Sequence, residues 1–154
     1  MKKLYCCFLL LALLSCDWLG PVQESVAGAS ADQAPWDTTG ALPVVEVPEH
    51  IGEKQLTVRG YIVGGNLSTS AKGIRFEAPF TAATHLALAD TAAVVLKSSC
   101  LAVQLPSGRV RDSLCLTVHP QWLGRKVWLR GDIVASYFGL PGLKNVTDFA
   151  WEMP

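Results

Sequence analysis

Apolar and polar residues alternate most regularly in Thr57-Val58-Arg59-Gly60-Tyr61-Ile62-Val63, and the pattern returns 71 residues later as Trp128-Leu129-Arg130-Gly131-Asp132-Ile133-Val134. Four of the seven positions are identical. Val58 and Ile62 in one copy, and Leu129 and Ile133 in the other, fall on one face of a period-two ladder, the mark of a half-buried strand. Glycine in mid-strand lowers stability, so Gly60 and Gly131 signal a bend, a bulge or a barrel corner. Two bent strands near the two ends of one small domain predict that the first strand and a late strand pair with each other and close a β-barrel.

The rest of the chain fits around that pair. Residues 55–64 and 85–90 read as the first two strands, and residues 101–105 and 110–116 as a hairpin across Pro106-Ser107-Gly108. Residues 119–124 read as one helical turn, with Pro120 at its first position and Gly124 at its stop. Residues 126–138 and 144–151 are the last strands. Residues 44–53 form a short strand or helical turn leading into the domain, where Pro48 excludes a long helix. The connection after Gly64 is polar at its start and is broken by Gly73 and Pro79, so it is predicted to lie outside the core. About five strands, with one helical turn before the fourth, give an all-β fold: a five-stranded, OB-fold-like Greek-key barrel.

The N-terminus has a different pattern. Lys2-Lys3 precedes an apolar run of eleven residues, 4–14, and then Ser15 and Cys16. That run is an export signal, too short for a spanning helix, which needs about 20 residues. Leu13-Leu14-Ser15-Cys16 resembles the lipobox of bacterial lipoproteins, which implies cleavage before Cys16 and acylation of its sulfur. The expected division is a signal peptide at 1–15, a flexible acidic tether at 16–43 and the barrel domain at 44–154. The expected membrane attachment is lipid on Cys16, in the cell envelope, with the outer membrane or cell surface favoured over the inner membrane.

Charge follows the same division. Between Asp17 and Glu53 there are seven acidic residues and no Lys or Arg, whereas from Lys54 onward eleven Lys or Arg face six Asp or Glu, a balance of +5. The domain is basic and its leader acidic, although the whole chain is formally neutral.

A longer set of motifs lies in the domain: Arg59-Gly60-Tyr61-Ile62-Val63-Gly64, Leu88-Ala89-Asp90, Cys100 with Val103-Gln104-Leu105-Pro106-Ser107-Gly108 and Arg111, Leu123-Gly124-Arg125-Lys126-Val127, Gly131-Asp132, and Tyr137-Phe138-Gly139-Leu140-Pro141-Gly142-Leu143-Lys144. Over residues 55–151 this set resembles an uncharacterised OB-fold-like family of Bacteroidota lipoproteins. The resemblance implies a fold and a habitat, and no settled activity.

Candidate chemistry is sparse. His50, His85 and His119 are scattered without metal-ligand spacing, and no nucleophile elbow or phosphate-cradling glycine motif occurs. Asp90 and Asp132 read as turn caps or arginine partners. The expectation is a protein that is not an enzyme and has no cofactor or metal. OB-folds bind ligands on the face of strands two and three and with the loops after strands one and four. The first of those loops supplies Arg75, Phe76 and Phe80, the second Tyr137, Phe138 and Lys144, and the hairpin adds Arg109 and Arg111. Of these, Arg75, Phe76, Tyr137, Phe138 and Lys144 are expected to converge beside an exposed face of strands two and three. The set as a whole suits a glycan, a peptide or an envelope protein, with a single-stranded nucleic acid or a structural role in an envelope complex as alternatives. The contrary reading is that Phe76, Phe80 and Phe138 plug the barrel ends. Cys100 and Cys115 face each other if the hairpin turn has two residues and point apart if it has three. The three-residue loop fits Pro106 and Gly108 better and predicts free, buried thiols.

Overall fold

The computed structural model describes residues 36–70 and 73–152. The expected signal peptide, Cys16 and the expected tether up to residue 35 lie outside the described residues. Those described form one six-stranded sheet: β1 (Leu42–Pro43), β2 (Leu56–Gly64), β3 (His85–Ala89), β4 (Leu101–Gln104), β5 (Lys126–Tyr137) and β6 (Leu140–Trp151). Pairing runs β1-β2-β3-β4-β6-β5, and β5 also pairs with β2, so the order returns to β2. Most pairs are antiparallel; β1 with β2 and β4 with β6 are parallel.

The two copies of the repeated motif pair with each other, with Val58 opposite Leu129, Arg59 opposite Trp128 and Tyr61 opposite Lys126. β2 keeps β5 as its partner from Leu56 to Tyr61 and takes β3 from Tyr61 to Gly64. Gly60 stands just before this change, where an added Cβ would lie 3.0 Å from the Ala89 carbonyl oxygen and 3.1 Å from Val44 Cγ2. Gly131 sits at a register shift between β5 and β6, and its own missing Cβ would lie 2.7 Å from the Lys144 carbonyl oxygen. Close approach of a neighbouring strand therefore requires glycine at 131 and leaves only a tight fit for a side chain at 60.

The inward side chains of the ladder, Val58, Ile62, Leu86, Leu88, Leu101, Val103, Leu129, Ile133 and Leu143, form the main core. Two expectations need correction. The strand count is six rather than five, because Leu42 and Pro43 add a short parallel strand to β2. The segment predicted as the second arm of a hairpin is helix α1 (Arg109–Leu114). Val110 and Leu114, four apart, both reach the core, which is helical spacing. Gly108 opens the helix with φ +92°. Two side chains then take carbonyls near its C-terminal end: Trp122 Nε1 donates to Ser113 O at 2.9 Å, and His119 Nε2 donates to Asp112 O at 3.0 Å. With no hairpin there is no cross-strand register between Cys100 and Cys115. Both are free and buried, Cys115 in the main core and Cys100 on the far side of the sheet.

The expected helical turn before β5 is a 3-10 turn at Pro120–Trp122 with proline in its first turn. Residues Val44–His50 form another 3-10 helix. Its N-terminal amides are capped from a distance: the Asp90 carboxylate accepts from Val44 N at 2.7 Å and Val45 N at 2.8 Å.

Candidate functional site

The face of strands two and three on which OB-folds hold ligands corresponds here to β3 and β4, and it is not exposed. All five residues of β3 are buried. Leu86 and Leu88 point into the main core, while Ala87, Ala89 and Ala102 on the opposite face are also fully buried beneath Leu67, Ile74 and Leu140. The small alanines let Leu67, Ile74 and the β5–β6 turn lie close against the sheet. The connection after β2, predicted to lie outside the core, instead supplies this second hydrophobic layer.

Of the residues expected to converge, Phe76, Tyr137 and Phe138 do share this layer, each half-buried against it. The Tyr137 and Phe138 rings are 4.6 Å apart, Phe138 lies 4.6 Å from the His85 ring, and Lys144 Nζ is 5.4 Å from the Tyr137 ring. Burial pushes the Tyr137 phenol pKa up. Arg75 pairs its backbone with Gly65 and leaves its side chain exposed. Phe80 belongs to the main core. Arg109 forms an ion pair with Asp148 and lies over Phe149, while Arg111 donates twice to the Leu105 carbonyl, at 3.0 and 2.9 Å.

The histidines also have local partners. His50 Nδ1 is 2.8 Å from Glu53 Oε1. His85 Nε2 accepts from Leu67 N–H at 3.0 Å, so the proton is on Nδ1, which donates to Thr84 Oγ1 at 3.0 Å. Burial lowers the His85 pKa below its ordinary 6.5, and protonation of Nε2 would break the Leu67 bond. The unfolded chain therefore takes up this proton first, so the stability due to a neutral His85 is complete above 6.5 and is lost as pH falls toward the folded value. His85→Gln should flatten the stability profile between about pH 6.5 and 5, above the main carboxylate range. Parallel urea titrations of parent and variant across that interval measure the difference, and identical slopes would exclude His85 as the titrating group.

A cleft of about 390 Å³ between the two 3-10 helices Val44–His50 and Lys97–Ser99 has Val45, Pro48, Leu101 and Pro141 in its walls. Its carboxylate, Asp90, already caps two amides. Its thiol, Cys100, is pushed up to about 11 by burial and donates to the Leu96 carbonyl. Neither group is poised for acid–base or nucleophilic chemistry.

The outer face of β2, β5 and β6 continues from this second layer, and Tyr61 packs against the layer's edge. The alternation that turns Val58, Val127 and Leu129 inward turns Arg59 and Tyr61 of β2, and Lys126, Trp128 and Arg130 of β5, outward. Register places Arg59 opposite Trp128, and Trp128 opposite the small Ala150 of β6. Trp128 packs in neither hydrophobic cluster. Lys126 Nζ stands between the two rings, 5.3 Å from Trp128 and 5.8 Å from Tyr61, and is held by Glu152 at 2.7 Å. A groove of about 350 Å³, walled by Pro43, Val45 and Gly60, adjoins Arg59, Tyr61 and Lys126.

A family model described as a domain of unknown function, DUF6359, matches residues 42–152. The chain belongs to that family. The match begins at the first residue of β1 and ends one residue beyond β6, so the DUF6359 domain is the six-stranded sheet with its covering segments. Comparison with curated proteins and with solved structures found no match. Within the DUF6359 domain, the aromatic and basic face was not among the residues singled out from sequence. The signal for it was present in the polar half of the repeated motif, Arg59, Tyr61, Trp128 and Arg130.

Proposed function

We propose that the chain is a lipid-anchored, non-catalytic binding module of the cell envelope, built on an OB-type barrel, which holds a glycan on the outer face of β2, β5 and β6. The barrel reading is supported by the cyclic order β2-β3-β4-β6-β5, with a parallel β4–β6 pair and a 3-10 turn ahead of β5. The anchor reading rests on Leu13-Leu14-Ser15-Cys16, with the outer membrane or cell surface favoured over the inner membrane and an acidic leader between lipid and domain.

One observation carries the ligand face. Trp128 is a large apolar ring on the outer side of the sheet, half-buried, packed into neither cluster and bordered by cations. Burying such a ring in the domain's own core would stabilise the fold by roughly 1.5–3 kcal/mol or more, so its position outside is best explained by contact with a ligand. The test is retention of the mature chain on a panel of immobilised neutral and acidic polysaccharides. Trp128→Ala should weaken binding about 5- to 150-fold, the range for losing a stacking aromatic, with the domain still folding cooperatively. Equal retention of parent and variant would move the ligand away from this face.

A further inference from the structure

The geometry points to an acidic polysaccharide as the ligand, with one sugar ring stacked on Trp128 and the carboxylate of that ring or its neighbour bound by Arg59. This assignment rests on the face described above and adds the chemical class of the glycan.

Arg59 and Trp128 are directly opposite on paired strands and on the same side of the sheet. Cross-strand neighbours have Cβ atoms about 4.5–5.5 Å apart, so ring and guanidinium present a combined apolar and cationic surface to one ligand unit. The cations here are not equivalent. Lys126 is held by Glu152 and lies over two rings, and Arg130 Nε donates to the Gln55 carbonyl at 3.2 Å. Of the three, Arg59 alone has no ion pair or hydrogen bond among the described residues, and it is exposed. The guanidinium fork fits a carboxylate in a bidentate manner. Tyr61 OH and Trp128 Nε1 likewise meet no partner among the described residues, and they suit the hydroxyls of a sugar chain. The adjoining groove beside Tyr61 gives room for the next unit.

The number of free cations on this face favours a single sugar unit over a nucleic acid. A single strand is held by a groove of cations that tracks its backbone, with several stacking aromatics. Here Lys126 is paired with Glu152 and Arg130 donates to Gln55, so one guanidinium, free among the described residues, stands opposite one ring, with Asp90 in the adjoining groove. A uronate unit, with an apolar ring face and a single carboxylate, matches that pairing.

The experiment measures binding of the full mature chain to polygalacturonate, to the same polymer after its carboxyl groups are reduced to alcohols, to dextran and to a 20-nucleotide oligo(dT). The expected result is tightest binding to polygalacturonate. Arg59→Gln should weaken that binding about 10-fold and leave the residual affinity for the reduced polymer unchanged, while Trp128→Ala weakens both. Equal affinity for native and reduced polymer would overturn the acidic class and leave the stacking face intact. Binding insensitive to Trp128→Ala would overturn the face itself. Tighter binding to oligo(dT) than to any polysaccharide would replace the glycan with a nucleic acid, and failure to bind any polysaccharide would refute the assignment.

Discussion

Gly131→Val should destabilise the domain by about 3 kcal/mol, the upper end of the usual range for overpacking, and lower the unfolding temperature by more than about 10 °C. The obstacle is backbone: a Cβ at this position would lie 2.7 Å from the Lys144 carbonyl oxygen and 3.2 Å from Leu143 Cγ, so β5 and β6 must separate to admit it. Those strands meet along almost their whole length, from Val127 opposite Trp151 to Tyr137 opposite Leu140. The corresponding change at Gly60 meets its nearest atoms at 3.0 to 3.3 Å and should cost less. Thermal melts of the two valine variants give the order directly, and a Gly131→Val melt coincident with the parent would show that the sheet relaxes at the register shift.

Phe80→Ala should also be severe, about 3–5 kcal/mol, because it removes a buried ring from the main core. The ring lies over Gly65, whose missing Cβ leaves space for it: a Cβ there would be 3.1 Å from the Phe80 edge. A cavity in this position loosens the connection after β2 as well as the core. Chemical denaturation should show a lower midpoint with little change in slope. Retained stability combined with lost glycan binding would instead return Phe80 to the ligand surface proposed for it from sequence.

Several elements were readable from sequence because local pattern and tertiary role agree in them. β2 and β5 carry clear alternation, and their matching motifs do pair. The proline-led turn before β5 was also apparent. Where two patterns compete, the reading failed. Pro106-Ser107-Gly108 resembles a hairpin turn, yet the spacing of Val110 and Leu114 is helical, and tertiary contact with the core decides in favour of α1. The cover over β3 is not legible for another reason: Leu67 and Ile74 are scattered apolar residues with no period of their own. The evidence for a cover lies in β3 itself, since Leu86-Ala87-Leu88-Ala89 is apolar on both faces, as in a strand buried on both sides.

The same competition explains the candidate site. OB-fold ligand loops point to Phe76, Tyr137 and Phe138, yet these aromatics pack on the outside of β3 and β4. Arg59, Tyr61 and Trp128 are members of the repeat, but they occupy its outward half, which alternation marks only as polar. Their meeting depends on register between strands some 70 positions apart, which one strand's pattern does not reveal.

The shared strand β2 has a consequence for how the chain is born. Residues 56–61 have no β5 to pair with until residues 126–131 have been made, and β5 in turn waits for β6, whose Trp151 completes the core. During synthesis at about 5–20 residues per second, an apolar strand edge therefore remains unpaired for seconds. Domains dominated by such distant pairings fold in milliseconds to seconds once complete, slowly enough for a nascent chain to be threaded elsewhere before it closes. A truncation that stops short of β6 should leave no smaller folded unit, only a chain with open edges.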